Sequence, residues 1–527
     1  MARMKTVLLG ALVLALAGCG AHGSKAKGDG TIKKPEVSSG LKDKKGAEVS
    51  ADAKSAFDAA LADFQAADKS GKWEENCEAV AAGFLGAAKQ QKADTNARFA
   101  EAIYNAGLAY QRCNRDEDAK KLFSEVVEAD PKFHRARAQL VLFQYQKSGD
   151  LDGTIRQLDE IIRDAKFQNV EALVYLAALQ MERGSDQADQ DGANDYERAK
   201  KNLQRALAID DGFMPAFNQL AIYYMEEAKR KAEKGASAKA LGRRGKLVVA
   251  GAEKVNVNQQ QMDLAALVAS QGIRKNPNYA PIHNTAGLIQ VELRNYNGAV
   301  SSFKTARALD PKFFEAHMNY GAVNLSFRNF EEAEKAYRDA IKLRANEFEA
   351  NLGLALAIRG QIQPGDSARI AEAQKYLDKC KEIDARRPET YYNEAILTQE
   401  YKAKGEEKAA IPMLKKAASL YKDFIAKAGS DPAFEEAVKR SKDRAQDIED
   451  TVTFIEEGER ARKEQEAADA AAKAAAAKAP PKDAAKPAEG DAAGGATPEG
   501  QKPEAAKADA PAGKPAAAGG GAKPAGK

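Results

Sequence analysis

The sequence predicts an all-α chain, a solenoid of repeated amphipathic helical units stacked side by side. Three observations predict it. Residues recur at a fixed period of 34 through the middle of the chain. Amphipathic helical segments alternate with short turns from about Ser50 to Ala468, and no stretch shows the two-residue alternation of a strand. Alanine supplies much of the 44% apolar content and aromatics only 7%, which suits many thin helix–helix interfaces better than one thick core.

Before the helical body lies an address. Arg3 and Lys5 give a positive start, and Val7 to Ala17 is an apolar run of eleven residues. A bilayer-spanning helix needs about 20, so the run reads as a secretory leader over 1–18. Leu16-Ala17-Gly18-Cys19 resembles a bacterial lipobox, which implies acylation of Cys19. Several acyl chains hold a protein on a bilayer far better than one, at about 0.8 kcal/mol per buried CH₂. Gly20 follows, with no Asp to signal retention at the inner membrane, so the expected location is the outer membrane, lipid-anchored and facing the periplasm. Residues 19–49 are rich in Gly, Lys and Ser and read as a flexible tether.

The body spans 50–430 and holds about eight or nine units. Gly287, Ala299, Phe303 and Ala306 recur as Gly321, Ala333, Tyr337 and Ala340, each shifted by 34. Tyr296 becomes Phe330, and His283 becomes His317. Gly107, Tyr110, Ala119, Phe123 and Pro131 keep the same frame, as do Ala199, Leu203 and Ala206. Small residues let two helices approach closely, and an aromatic one turn on fills the groove between them. Regular units start near Ala100, His134, Val170, Met214, Ala280, Phe314, Phe348 and Pro388, after a divergent first pair. Insertions fall near 185–195 and 228–258. A capping helix is expected over 431–468, and the tail begins inside an Ala-rich helix, Ala467 to Ala479, that meets Pro480 and Pro481. From 469 to 527 Ala, Pro, Lys and Gly dominate, too poor in large apolar side chains to offset ordering entropy.

These repeated residues resemble the tetratricopeptide repeat (TPR) signature, which implies a superhelical TPR solenoid that binds other proteins. In that family the first helix of each unit lines a concave face. The positions that fall there are Tyr104, Leu108, Arg112, Tyr145, Asn284, Leu288, Glu292, Met318 and Tyr392. The Lys/Asn clamp by which some TPR domains hold C-terminal carboxylates is not evident.

No chemistry-bearing constellation stands beside this face. Every His is accounted for by the repeat or the tether, so no catalytic triad can be drawn and no catalytic domain has room. His283 and His317 are expected to play a structural role at a helix interface. Asp186, Asp189, Asp191, Gly192 and Asp195 lack the full spacing and closing Glu of a calcium loop. Gly242 to Lys246 is too short for a phosphate loop. No metal and no cofactor are expected. A net charge of +4 and the lack of an arginine–aromatic platform exclude nucleic acid. Cys77 and Cys113 fall in adjacent units, where a disulfide is conceivable, and Cys380 reads as a buried free thiol. Lys229, Arg230, Lys231, Lys234, Lys239, Arg243, Arg244 and Lys246 form a basic insertion opposed only by Glu233. Its charge suits anionic lipid, peptidoglycan or an acidic partner, with a solvated helix extension as the equal alternative, and together with the tail it offers contact to peptidoglycan.

The expected function is therefore a non-enzymatic scaffold for other envelope proteins in an envelope-spanning machine. Leader, repeats and tail together are similar to the TPR lipoproteins of myxobacterial adventurous gliding motility, of the protein T type. That resemblance implies motility-complex partners. The alternative is an assembly factor or pilotin for a pilus secretin or an outer-membrane complex.

Overall fold

A computed structural model describes residues 48–70, 73–242, 258–404 and 410–478. The leader, Cys19, most of the tether, the basic insertion beyond Gly242 and the tail beyond Lys478 lie outside the described residues.

The described body is a succession of nine antiparallel helix pairs. They are α1 (Ala51–Ser70) with α2 (Trp73–Thr95), α3 (Ala100–Arg112) with α4 (Asp116–Ala129), and α5 (His134–Ser148) with α6 (Leu151–Asp164). Then come α7 (Val170–Arg183) with α8 (Asp195–Ile209), α9 (Met214–Gly242) with α10 (Gln259–Lys275), and α11 (Ala280–Glu292) with α12 (Tyr296–Leu309). The last three are α13 (Phe314–Ser326) with α14 (Phe330–Leu343), α15 (Phe348–Arg359) with α16 (Ser367–Asp384), and α17 (Pro388–Leu397) with α18 (Ala410–Ala428). No strand occurs among the described residues. A final helix, α19 (Glu435–Lys478), follows a short 3-10 turn at Pro432–Phe434.

Local chemistry sets the helix ends. The side chains of Asp150, Asn169, Asn194, Asn258, Asn295 and Asp366 each accept a bond from a backbone N–H in the first helical turn. Those N–H groups have no partner inside the helix, and each cap stabilises by about 1 kcal/mol. Pro281 and Pro388 occupy first-turn positions, where a missing N–H costs nothing. The turn inside a pair needs a left-handed residue. Gly149 supplies it at φ 67°, whereas Asn114, Arg294 and Arg328 adopt it at 57°, 60° and 61°.

Packing follows the small-residue pattern. Phe303, fully buried, lies so close to Gly287 that a Cβ there would meet its ring at 2.5 Å. Phe123 stands the same way against Gly107. Tyr337 fills the space between Gly321 of its own pair and Gly353 of the next. The glycine–aromatic contacts thus join helices both within a pair and between pairs.

From α5 onward, each first helix also packs against the first helix of the next pair. No second helix packs comparably on the next second helix among the described residues. First helices therefore line the inner side of the stack, and second helices splay outward. One apolar cluster runs without a break from Ala138 to Ala336.

The far end closes on Ala445, Ile448 and Val452 of α19, which pack on Ala417, Leu420 and Tyr421 of α18. The helix runs on without a break to Lys478, so the capping helix and the Ala-rich helix expected from Ala467 are one element. Its alanines favour helix, and the first residues that forbid it are Pro480 and Pro481. From Glu457 the chain forms a separate unit, whose described side chains, to Ala474, are exposed. No helix among the described residues is long and apolar enough to cross a membrane.

Candidate protein-binding face

The nine positions expected on the inner face divide into two groups. Tyr104, Leu108, Asn284 and Leu288 are buried between helices and are not available as surface, which corrects their placement on the open face. An internal first helix is flanked by neighbours on both sides, so only a narrow strip of it is open on the inner side of the stack. All five of Arg112, Tyr145, Glu292, Met318 and Tyr392 are half-buried, and Arg112, Tyr145 and Glu292 reach partners on neighbouring first helices, along that strip.

Tyr104 shows why a polar atom in the sequence misleads. Its hydroxyl donates to Glu171 Oε2 at 2.9 Å, and Arg135 donates to Glu171 Oε1 at 2.6 Å. The same guanidinium stacks on the Tyr104 ring, its Cζ 4.5 Å from the centroid. Burial, then the Glu171 carboxylate, push the Tyr104 hydroxyl well above the ordinary tyrosine range. The trio closes the inner side of three successive pairs, a buried network that is structural because its members satisfy one another.

Three of these positions carry polar partners. Arg112 meets Asp68 at 3.3 Å. The Tyr145 hydroxyl donates to Glu182 at 3.1 Å. Glu292 pairs with Lys229 at 3.0 Å. Tyr392 leans on the rings of Tyr421 and Phe424, at 6.2 and 5.1 Å. Asp68, Glu182 and Asn319, which donates to Asn284 at 2.9 Å, belong to the same strip and were not among the expected residues. Each sits on the first helix of the pair before or after that of its expected partner, Arg112, Tyr145 or Asn284, so the repeat frame held the signal.

A second element recurs at the joins. Arg344 stacks over Phe314 at 4.1 Å and pairs with Glu315 at 3.0 Å. Arg387 stacks over Phe348 at 3.7 Å and pairs with Glu349 at 2.6 Å. In both, a Phe-Glu dipeptide opening a first helix is clasped by an arginine leading into the next pair. The guanidinium plane suits both the ring and the carboxylate, which a lysine would not match.

Other expected residues fall as follows. A disulfide joins Cys77 and Cys113, with Cα atoms 6.2 Å apart, and ties α2 to the end of α3. Cys380 is a buried free thiol, and burial pushes its pKa up to about 12. His283 and His317 each donate from Nε2 to a proline carbonyl six residues earlier, Pro277 and Pro311, both at 2.8 Å. His317 Nδ1 accepts from Arg307 at 2.9 Å, so that ring serves the turn as a neutral imidazole. In the basic insertion, Glu233 is not the only counter-charge. Lys229 pairs with Glu226 and Glu292, while Arg230 and Lys231 pair with Glu227. Among the described residues no cluster of His, Cys, Asp and Glu is arranged to hold a metal ion.

Sequence profiles described as tetratricopeptide repeat match residues 100–133 and 284–349. No curated protein matches the chain. Similar solved structures include a thermophilic TPR protein of Thermus thermophilus, 18% identical, covering 49% of this chain and 99% of that one at a TM-score of 0.29. The pilF protein of Pseudomonas aeruginosa is 17% identical, with 48% and 92% covered and a TM-score of 0.33. A tetratricopeptide repeat protein of Parabacteroides merdae is 15% identical, with 61% and 98% covered and a TM-score of 0.34. Scores this low carry no weight beside the matched segments and the packing. With the 34-residue frame, the glycine–aromatic joins and the two profile matches in agreement, the helical body is a stack of tetratricopeptide repeats.

Proposed function

We propose that this protein is a non-enzymatic scaffold, held by acylated Cys19 in the outer membrane and facing the periplasm, that binds other components of an envelope-spanning machine of the gliding-motility kind. Tetratricopeptide stacks bind proteins, and that much the repeats support directly. The observation that carries the reading is the strip of half-buried Arg112, Tyr145, Glu292, Met318 and Tyr392, spread over five of the nine first helices. Such a strip offers alternating polar and aromatic contacts to an extended segment or a partner helix. The sequence of the leader supports the anchor. Contact with peptidoglycan through the basic insertion and the tail belongs to the same proposal.

Crosslinking in intact cells, pull-down from detergent-solubilised envelopes and mass spectrometry test it. The expected result is recovery of motility-motor or surface-adhesin components, with fatty-acid label on the wild type and none on Cys19→Ala. Recovery of a secretin or a barrel-assembly protein moves the chain to the assembly-factor reading. Full extraction of the wild type without detergent contradicts the anchor.

A further inference from the structure

The acidic insertion does not stand free in solvent. It folds against the outer groove between α6 and α8 and closes one end of a cavity of about 240 Å³. Gln180 and Arg183 of α7 contribute from the helix between them, and Asp189 and Asp191 close the end. Six cationic side chains line this space against three carboxylates.

Three of the six are already matched. Arg163 binds Asp159 at 2.7 Å and also holds Asp191. Arg183 grips both oxygens of Asp195, at 2.8 and 2.7 Å, and reaches Asp152 at 3.0 Å. Arg198 bonds Asp195 at 2.7 Å and Asp189 at 2.9 Å. Burial raises the Asp195 pKa, but the bonds from Arg183 and Arg198 outweigh it, and the carboxyl ends below its ordinary range. The loop carboxylates are thus engaged by arginines, which leaves no acidic cage for a cation.

The other three cations differ. Arg156 of α6 and Lys201 and Arg205 of α8 make no ion pair among the described residues. Lys201 donates only to the Asp191 backbone carbonyl, at 2.7 Å. Arg205 donates to Asn202 Oδ1 at 3.2 Å and stacks on Phe167 with its Cζ at 4.4 Å. Lys201 and Arg205 are one helical turn apart, facing the same cavity as Arg156 across the groove. Behind them Arg198, only 5% exposed, and the buried amides of Asn202 and Gln180 give the pocket a rigid polar wall. Asn202 is held in place by donating to Gln180 Oε1 at 3.2 Å.

We propose that this cavity is a binding site for a phosphate dianion, held between Arg156 of α6 and Lys201 and Arg205 of α8. Three cations without carboxylate partners match a group carrying about two negative charges and three strong acceptor oxygens. The cavity is below the roughly 300 Å³ at which drug-sized ligand pockets begin, so it takes a small anion with a few waters rather than a large organic molecule. It opens on the second helices, away from the inner strip. The site therefore stands or falls independently of the protein-binding face.

Titration calorimetry of the full chain tests it. The probes are sodium phosphate and glycerol 2-phosphate at constant ionic strength, with sodium chloride as the matched reference, because salt alone screens exposed charges. The expected result is saturable binding of phosphate, weakened at least tenfold in the Arg156→Gln/Lys201→Gln double variant. Both residues are exposed, so the fold is expected to survive, and an unchanged helical melting curve verifies that. Arg205→Gln gives a second variant with the same expected loss. The Lys375→Gln variant, on α16 and outside this cavity, binds phosphate like the wild type. Binding of both probes identifies an open pocket that accepts a phosphomonoester, and binding of inorganic phosphate alone identifies a closed one. Heats no larger than those of chloride, or double-variant affinity equal to wild type, overturn the proposal.

Discussion

Phe303→Ala is expected to lower the stability of the central pairs by about 3–5 kcal/mol, the range for emptying a buried aromatic site. The ring is fully buried, and the backbone at Gly287 comes right up to it. Gly287→Ala attacks the same contact from the other side. Its new methyl would meet the ring at 2.5 Å, and overpacking of this sort costs about 1–3 kcal/mol. In a stack each pair leans only on its neighbours, so the loss is local. Hydrogen exchange shows where it falls. Protection is expected to drop across α11 to α13 and to hold in α3 and α4. The two substitutions share one contact, so the double variant is expected to cost less than their sum. Strict additivity, or protection lost evenly along the chain, contradicts the packing described.

Reduction of the Cys77–Cys113 disulfide is the second large effect. The bridge closes a loop across a sequence separation of 36 residues. In the chain-entropy view such a crosslink stabilises by about 4 kcal/mol. The pair α1–α2 has a neighbour on only one side among the described helices, so it depends on this link more than an internal pair would. Reducing agent, or the Cys77→Ser/Cys113→Ser double variant, is expected to unfold α1 and α2 at a lower temperature than the rest. The predicted observation is an early helical transition that is absent from the oxidised protein. Identical melting curves with and without reductant contradict it.

Much of this fold was legible in the sequence because it is periodic. A shift of 34 residues identifies Gly287 with Gly321 and Phe303 with Tyr337, and the helix pairs follow the same frame. The first helices begin at Ala100, His134, Val170 and on to Pro388, where the repeat itself begins. Periodicity also put Cys77 and Cys113 about one repeat apart.

The face was harder to read. A repeat frame says which helix a residue belongs to, but not how deep it sinks between neighbours. Tyr104 and Asn284 carry polar atoms and look like surface, yet each finds its partner on another helix, Glu171 and Asn319. Charge balance is equally non-local. The aspartates of the insertion look like an acidic loop because the arginines that meet them, Arg163, Arg183 and Arg198, belong to three different helices. Lys229, paired locally with Glu226, gains its second carboxylate when Glu292 arrives from α11.

Binding of protein by the inner strip of the repeat stack is the central claim. Site-specific photo-crosslinking in intact cells tests it most directly. A benzophenone side chain replaces Tyr145 or Tyr392 on the strip, or the exposed Lys120 or Lys304 on the outer helices α4 and α12. Discrete protein adducts are expected from positions 145 and 392, and none of those adducts from 120 and 304. Adducts from the outer positions alone, or no adduct from either inner position, contradict it.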